Sequence, residues 1–184
     1  MSARIVVLAS GSGTTLQAIL DAGDLAVVAA GTDRPSCLAM TRAAGAGVAT
    51  FAVAPSEHSD RPGWDAALAD AIAAHQPDLV VLAGFMRVLA AETVRRFRIV
   101  NTHPSLLPAF PGGHALRDAL AAGVGQTGVT VHWVDEGVDT GPIIAQAVVP
   151  VLAGDDEDSL RARVQSVERP LYIETIRQLI KEIA

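Results

Sequence analysis

The sequence predicts an α/β protein in which helices cover both faces of a mostly parallel, mixed sheet of about seven strands. Short apolar runs without alternation, such as Arg4 to Ala9 and Leu79 to Ala83, are typical of strands that are buried on both faces. Helical patterns separate most of these runs, which favours parallel crossover connections. Only a short loop separates residues 129–134 from residues 143–149, so the last two strands should pair antiparallel.

The other elements follow in chain order. Further strands are predicted at 26–30, 48–53 and 98–100, and helices at 16–20, 35–45, 62–75, 91–96 and 114–122. Asp33 should cap the second helix, with Pro35 in its first turn. A helical pattern runs from Asp155 onward, and Pro170 should divide it into two helices. This order indicates a Rossmann-like three-layer α/β/α fold, and without a linker we expect a single domain over residues 1–184.

Half of the 184 residues are hydrophobic, which is enough for one sizeable core. The formal net charge of −6 and a pI near 5.2 argue against a nucleic-acid or anionic-membrane binder, although a local cluster of donors can still bind a small anion. No apolar run is long enough to span a membrane, and no signal peptide precedes the first strand. The single cysteine, Cys37, excludes an internal disulfide, so we expect a cytoplasmic protein.

The first motif is Ser-Gly-Ser-Gly-Thr-Thr at residues 10–15, between the first strand and the first helix. Backbone N–H groups at such a turn, together with the helix dipole, favour a bound phosphate. The dinucleotide pattern Gly-x-Gly-x-x-Gly fails because Leu16 takes the third Gly position, and the Gly-Lys-Ser/Thr of a P-loop is missing. A single phosphate is therefore favoured over a dinucleotide, and the alternative is a tight turn that binds nothing.

The second motif is Asn-Thr-His-Pro-Ser-Leu-Leu-Pro at residues 101–108, which we expect to form a proline-stiffened loop directly after a strand. Asn101 and His103 are two residues apart, so their side chains should project from the same side. They would lie at the carboxyl end of the sheet, where ligands bind in open α/β folds. Ser105 can hydrogen-bond the local backbone and hold a turn. The alternative is a surface loop with an incidental histidine.

Asn101, His103 and Asp139 form the candidate reacting set. An Asp beside a His can hold one imidazole tautomer and favour the imidazolium. An amide and an imidazolium both donate hydrogen bonds to a developing oxyanion, and the carboxylate can accept a proton directly or through water. The chain has no cysteine near this loop and no Gly-x-Ser-x-Gly elbow. We therefore expect acyl transfer in which the acceptor attacks directly.

The histidines show no metal-binding pattern. They stand at positions 58, 75, 103, 114 and 132, without a His-Glu-x-x-His motif and without a close pair, so we expect no metal. We interpret His132 as a hydrogen-bonded core residue rather than a ligand. His114 is interpreted as part of a helix start.

The segment from Gly84 to Leu89 follows the most apolar predicted strand at its carboxyl end. Its apolar side chains Met86, Val88 and Leu89 could line a slot for a flat ring, or they could belong to the core. Arg61, at the start of a predicted helix, could bind a ligand carboxylate or be solvated. The residues alone leave both pairs of alternatives open.

Five motifs stand in the order seen in one known family. They are Ser10 to Gln17, Leu82 to Leu89, Asn101 to Pro108, Pro111 to His114 and Asp135 to Pro142. The sequence resembles the folate-dependent formyltransferases, most closely those that act on glycinamide ribonucleotide. The resemblance extends from about Arg4 to about Ile180. Each motif alone is weak, but five in order are highly specific.

The resemblance implies transfer of a formyl group from the co-substrate 10-formyltetrahydrofolate to the amine of 5'-phosphoribosylglycinamide in de novo purine (IMP) biosynthesis. It implies that Asn101, His103 and Asp139 are the catalytic trio. The positions that match the ribonucleotide site are Gly13, Thr14, Thr15 and Glu168, and those that match the folate site are Arg61, Met86, Arg87, Val88, Leu89 and Asn101. The implied partners are small molecules, with no metal, no nucleic acid and no membrane, in a monomer or a homodimer.

One departure from the family pattern is visible. Many relatives carry Asn at the position of Thr15. Because N–H groups hold most of the phosphate at such a loop, binding should survive this change with altered side-chain contacts.

Several related families and one non-catalytic class are alternatives to this assignment. We expect neither the C-terminal tRNA-binding domain of methionyl-tRNA formyltransferase nor the N-terminal regulatory module of formyltetrahydrofolate deformylase. Sugar-nucleotide formyltransferases remain possible, but the segment from Phe110 to His114 resembles the glycinamide enzymes more. A non-catalytic folate or nucleotide sensor on the same fold is the alternative of a different class. The intact trio argues against a sensor, because a pure binder does not require all three side chains.

Overall fold

The computed structural model describes residues 2–183, and this part of the chain contains seven strands and six α-helices. The strands are β1 (Ile5–Leu8), β2 (Val27–Thr32), β3 (Ala49–Ala52), β4 (Leu79–Leu82), β5 (Ile99–His103), β6 (Gln126–Trp133) and β7 (Ile143–Pro150). The helices are α1 (Thr14–Asp21), α2 (Leu38–Gly45), α3 (Arg61–Ala73), α4 (Ala91–Arg96), α5 (Ala115–Ala121) and α6 (Glu157–Ile183). A 3₁₀ turn at Pro55–Glu57 precedes α3.

The strands form one sheet in the order β3-β2-β1-β4-β5-β6-β7. Strands β1 to β5 are parallel, whereas β6 and β7 are antiparallel to their neighbours. The predicted mixed α/β sheet and the antiparallel pairing of the last two strands are confirmed. The chain extends from β1 to one side through β2 and to the other through β4, so a crevice opens between the carboxyl ends of β1 and β4.

The two central strands explain the three layers. All four residues of β1 and all four of β4 are buried, which matches their unbroken apolar sequences. Alternate residues point to opposite faces: Ile5 and Val7 pack with α1 and α6, whereas Val6 and Leu8 pack with α3. Trp64 of α3 is buried on that second face. Each fully buried side chain of this kind stabilises the fold by about 1.5–3 kcal/mol.

Helix α6 is continuous through Pro170, so the prediction that this proline divides it into two helices is wrong. Leu160 and Val164 are buried before the proline, and Tyr172 is buried after it. Their packing outweighs the roughly 3 kcal/mol that a proline costs inside a helix. Pro170 itself is exposed, so the carbonyl group that loses its N–H donor can bind water. None of the described helices is long and apolar enough to cross a membrane.

Helix α2 begins at Leu38 with Cys37 at its N-cap, so the prediction that Asp33 caps this helix near Pro35 is wrong. Asp33 lies directly after β2 and is buried. Its carboxylate accepts a hydrogen bond of 2.5 Å from the Ser10 hydroxyl, at the end of the neighbouring strand. A strong tertiary donor has therefore replaced the local helix N–H groups as its partner.

Strand β5 extends to His103, beyond the predicted end at residue 100. Antiparallel pairing with β6 causes the extension, because Asn101 pairs with His132 and His103 pairs with Thr130. Asn101 and His103 thus project from one face of a strand rather than from a loop, which makes their spacing more rigid than predicted. Ser105 then holds the following turn, as predicted, through a 2.5 Å hydrogen bond from its hydroxyl to the Ala109 carbonyl oxygen.

Candidate active site

Two clefts meet at the carboxyl ends of the central strands. The first has a volume of about 340 Å³, and its walls include Gly84 to Leu89, Asn101 to Pro104, His132 and Asp139. The second has a volume of about 300 Å³ and is lined by Ser10 to Thr15, Arg34, Gln165 and Glu168 among others. Five residues belong to both linings: Gly84, Met86, Thr102, Pro104 and Arg161. Two small ligands could therefore bind with their ends adjacent, next to His103.

His103 is buried between two hydrogen-bond acceptors. Its Nε2 lies 2.8 Å from the carbonyl oxygen of Phe110, and its Nδ1 lies 3.2 Å from Oδ2 of Asp139. Because a carbonyl oxygen and a carboxylate only accept hydrogen bonds, both nitrogens donate in the doubly protonated ring. The ring can therefore donate to both acceptors at once only as an imidazolium paired with the Asp139 carboxylate.

Asp139 is held in position by its backbone and by three neighbours. Its φ is +55°, a left-handed conformation that Asp tolerates better than most residues. The Gly112 N–H donates to Oδ2 at 2.8 Å, and Oδ1 lies 3.5 Å from Nε2 of His132. Burial opposes ionisation, but the contacts with His132 and Gly112 and the charge of His103 outweigh it, so the pKa of Asp139 is lowered below its ordinary 3.8. Asp139 is therefore ionised at neutral pH.

His132 belongs to the same group. Its Nδ1 lies 2.9 Å from the Trp133 carbonyl oxygen and donates to it, since a carbonyl oxygen only accepts. Its Nε2 lies 3.2 Å from the Asn101 amide nitrogen and 3.5 Å from Oδ1 of Asp139, so His132 orients the amide and leaves it one further N–H. The prediction that His132 is buried and hydrogen-bonded is confirmed, but its partners place it beside the candidate reacting set. We call Asn101, His103, His132 and Asp139 the reacting centre.

The segment Ser10–Thr15, here called the phosphate loop, presents backbone rather than side chains. Gly13 takes φ +72° at the N-cap of α1, and that N-terminus has no side-chain cap. A Cβ at Gly13 would lie 2.5 Å from the Cα of Ala39, so only glycine fits. The Ala39 N–H donates to the Gly11 carbonyl oxygen at 3.1 Å, and Arg42 Nε donates to that of Ser12 at 2.8 Å. These contacts hold the loop with helix N–H groups free for an anion.

Glu168 of α6 faces the phosphate loop across the second cleft. Its Oε1 accepts a 3.0 Å hydrogen bond from the Thr15 hydroxyl. Burial raises the pKa of Glu168 above its ordinary 4.5, and the Thr15 hydroxyl and the Arg169 charge offset only part of this effect. Gly13, Thr14, Thr15 and Glu168, predicted together from the resemblance, do line one cleft.

The segment Gly84–Leu89, here called the donor segment, forms the other wall. Met86 and Val88 are 65% and 55% exposed, whereas Leu89 is buried in the core beneath them. Arg61 lies outside both clefts; one of its terminal nitrogens donates to the Val88 carbonyl oxygen, and its Nε is 2.8 Å from Asp65. The structure thus places Arg61 as a support of the donor segment, while the exposed apolar side chains remain available to a ligand.

Within residues 2–183, no group of three or more His, Cys, Asp or Glu side chains is placed to hold a metal ion.

An amide, an imidazole and a carboxylate at the junction of two clefts on a Rossmann-like sheet are suited to acyl transfer between two bound ligands. Residues 3–176 match the Formyl transferase family, and the chain belongs to that family. The resemblance inferred from the five motifs is confirmed, and the chain is a formyl-transferring enzyme.

Individual relatives are close. A phosphoribosylglycinamide formyltransferase of Mycobacterium tuberculosis (strain ATCC 25618 / H37Rv) is 54% identical over 183 residues, which are 96% of this chain and 85% of that protein. The enzyme of the same name from Escherichia coli (strain K12) is 44% identical over 176 residues, covering 92% of this chain and 83% of the relative. The crystal structure of glycinamide ribonucleotide transformylase 1 from Symbiobacterium toebii matches with a TM-score of 0.95 at 46% identity, over 98% of this chain and 89% of that one.

Proposed function

We propose that the enzyme transfers a formyl group from 10-formyltetrahydrofolate to the amine of 5'-phosphoribosylglycinamide, a step of de novo purine (IMP) biosynthesis. The observation that carries the proposal is the junction of the two clefts at Thr102 and Pro104, which flank His103 in the chain. An anion-binding backbone loop lies on one side of that junction and exposed apolar residues on the other. The high identity to enzymes named phosphoribosylglycinamide formyltransferase supports the same reaction.

The second cleft suits the ribonucleotide. Its phosphate would bind the N–H groups of Gly13, Thr14 and Thr15, where the dipole of α1 favours negative charge. Glu168 lies across the cleft from these groups and can accept hydrogen bonds from the ribose or the glycinamide. A phosphate monoester with a polar body matches a loop of backbone donors opposite a carboxylate.

The first cleft suits the folate. A flat pterin ring needs apolar contacts and a few backbone groups, and the donor segment offers Met86 and Val88 as exposed apolar surface. Arg87 lies within the same segment and keeps its terminal nitrogens for an anionic group, because only its Nε is bonded to Asp33. When bound, the folate supplies the formyl carbonyl group as the electrophile.

The residues of the reacting centre then act on the transfer. The remaining N–H of Asn101 can donate to the developing oxyanion. His103 can donate as well if the oxyanion replaces the Phe110 carbonyl oxygen at Nε2, while Asp139 keeps the imidazolium paired at Nδ1. Since Asp139 stays ionised, it can also accept the proton that the attacking amine loses, directly or through water. As the bond from the formyl carbon to the amine forms, the bond from that carbon to the folate nitrogen would break, and the same proton can pass through water to that nitrogen so that tetrahydrofolate leaves. His132 orients the Asn101 amide throughout.

We further propose that the partners are these two small molecules, in a cytoplasmic monomer or homodimer that needs no metal. The acidic net charge of −6 supports the absence of a nucleic-acid partner.

The test is an absorbance assay for the folate product with purified protein, 10-formyltetrahydrofolate and glycinamide ribonucleotide, and with the ribonucleotide omitted as the control. Turnover that requires the ribonucleotide supports the proposal. Product formed equally without it indicates hydrolysis and contradicts transfer to this amine. Folate binding without any turnover contradicts the proposed acceptor and favours a different amine or a sensor.

A further inference from the structure

Asp33 is a buried carboxylate that the proposed mechanism does not use. It lies directly after β2, and its side chain is 0% exposed. Oδ1 accepts a 2.5 Å hydrogen bond from the Ser10 hydroxyl, and Oδ2 accepts a 2.8 Å hydrogen bond from Arg87 Nε. Arg34 Nε lies 3.9 Å from Oδ2 and adds positive charge at longer range. A carboxylate this deeply buried is stable only with such donors.

The two hydrogen-bond donors to Asp33 belong to different clefts. Ser10 begins the phosphate loop, and Arg87 lies in the donor segment. Ser10 also contacts the donor segment directly, because its N–H donates to the Gly84 carbonyl oxygen at 3.1 Å and its Oγ accepts from the Met86 N–H at 2.9 Å. Ser10 of the phosphate loop is therefore bonded directly to two points on the donor segment, Gly84 and Met86, and Asp33 links it to a third point, Arg87.

The donor segment depends on these contacts. Met86 and Val88 are mostly exposed, so they contribute little packing to hold the segment in place. Leu89 is buried at one end, and Arg61 bonds the Val88 carbonyl oxygen near that end. Toward the other end, the backbone is fixed by Ser10, whose hydroxyl is in turn fixed by the buried carboxylate.

We propose that Asp33 is a positioning residue that fixes the donor segment relative to the phosphate loop, so that binding of either substrate tightens binding of the other. The proposal rests on the assignment of the two clefts to a ribonucleotide and a folate. A phosphate that binds the loop orders Ser10, and Ser10 orders the Met86 N–H through the same hydroxyl that contacts Asp33. By thermodynamic linkage the coupling is equal in both directions.

The variant Asp33→Asn tests the role with little change of shape. A carboxylate accepts at both oxygens, whereas an amide turns an NH₂ group toward either Ser10 or Arg87. We expect the KM for 10-formyltetrahydrofolate to rise about tenfold while kcat changes less than about twofold, because the reacting centre is untouched. Titration with tetrahydrofolate should show that saturating glycinamide ribonucleotide tightens binding about fivefold or more in the wild type, and hardly at all in Asp33→Asn.

Asp155→Asn is the matched control. Asp155 is 5% exposed and accepts hydrogen bonds of 2.6 and 2.8 Å from Arg163, and both residues lie outside the two clefts. This variant should lower Tm and leave the folate KM and the coupling unchanged. If Asp33→Asn does not fold, Ser10→Ala removes the Asp33 contact and the Met86 acceptor together, and it should abolish the same coupling.

Wild-type folate affinity and coupling in a folded Asp33→Asn protein would overturn the proposal. So would an equal rise of the folate KM in Asp155→Asn, or a wild type in which the ribonucleotide has no effect on tetrahydrofolate binding. Failure of the proposed function is recognised separately, as a wild type without turnover. In that case the dissociation constant of tetrahydrofolate alone, compared between the wild type and Asp33→Asn, still decides whether Asp33 positions the donor segment.

Discussion

The phosphate loop and the reacting centre line adjoining clefts, but the loop presents backbone groups and the reacting centre presents side chains. The loop offers a ligand its backbone N–H groups, whose positions are set by Gly13 and the start of α1. The reacting centre consists of side chains, and each has its partners fixed within 3.5 Å. The loop should therefore tolerate changes of side chain but not of backbone conformation. The reacting centre should lose function when any one of its side chains is replaced.

Removal of the imidazole should give the largest effect. His103→Ala should lower kcat by about 10²–10⁴-fold and leave ribonucleotide affinity nearly unchanged, because the role proposed for His103 is at the oxyanion and not at the phosphate. Steady-state kinetics and a ribonucleotide titration measure the two quantities. His114→Ala is the matched control, since His114 is exposed and its side chain caps nothing. An equal loss of ribonucleotide binding in His103→Ala would remove the distinction between the two regions.

Neutralising the Asp139 carboxylate should give the second-largest loss of activity. Asp139→Asn should lower kcat by about 10²-fold, because the imidazolium loses its partner and the amine loses a proton acceptor. The pKa of Asp139 is lowered below 3.8, so its ionised form stabilises the fold above pH 3.8, and this contribution is lost as pH falls through the lower folded value. Thermal unfolding between pH 2 and 7 should therefore show less acid sensitivity in the variant. A wild-type rate and pH profile would exclude Asp139 from the mechanism.

A change in the backbone conformation of the phosphate loop should weaken ribonucleotide binding and affect kcat less. Gly13→Ala places a Cβ 2.5 Å from the Ala39 Cα at φ +72°, so the loop must shift. We expect the ribonucleotide KM to rise about tenfold or more, with kcat at saturation less affected. Gly45→Ala serves as the control, because a Cβ there meets no atom within 4 Å and the residue needs no positive φ. A kcat loss without a KM change would contradict the backbone role of Gly13.

Replacing Glu168 should raise the stability of the fold and weaken ribonucleotide binding. Its raised pKa means that the charged form destabilises the fold once pH rises above the ordinary 4.5, and not below it. Glu168→Gln should thus raise Tm by about 2–4 °C at pH 7, while the ribonucleotide KM rises. The gain in Tm should disappear as pH is lowered to 4. An unchanged KM would show that Glu168 does not contact the ribonucleotide.

The smallest effect is expected at Thr15. Thr15→Asn keeps a donor for Glu168, and the loop N–H groups that would hold the phosphate are unaffected. The ribonucleotide KM should change by about twofold or less, measured beside Gly13→Ala under the same conditions. A tenfold change would mean that the side chain at Thr15, and not only the backbone, recognises the phosphate.

Local sequence patterns predicted most of the fold. The buried strands, the glycine turn after β1 and the short connection before β7 are each encoded within a few residues, so each was predictable. The failures share a cause. Pro170 stays inside α6 because residues on both sides of it pack on strands that are distant in the sequence. Asp33 does not cap α2 because its carboxylate accepts a hydrogen bond from the Ser10 hydroxyl instead. Tertiary contacts outweighed local preference in both cases.

The site shows the same division. Residue type and spacing single out positions 101, 103 and 139, whereas the sequence pattern around His132 favours a core residue. Its role depends on the antiparallel register that sets it opposite Asn101, and a register between strands about thirty residues apart leaves no local signal. The sequence shows that Asn101 and His103 are two residues apart on β5. It does not show that His132 lies opposite Asn101 on β6.

The sequence by itself thus determined the α/β class and the glycine turn after β1, and it singled out Asn101, His103 and Asp139 as candidates, because these depend on local periodicity, glycine geometry and side-chain chemistry. Tertiary structure alone decided which acceptor each polar side chain meets. It set His132 against Asn101, gave His103 its two acceptors, and placed Asp33 between the two clefts. A buried polar group must find a partner wherever the fold brings one, and that choice is made by residues far apart in the chain.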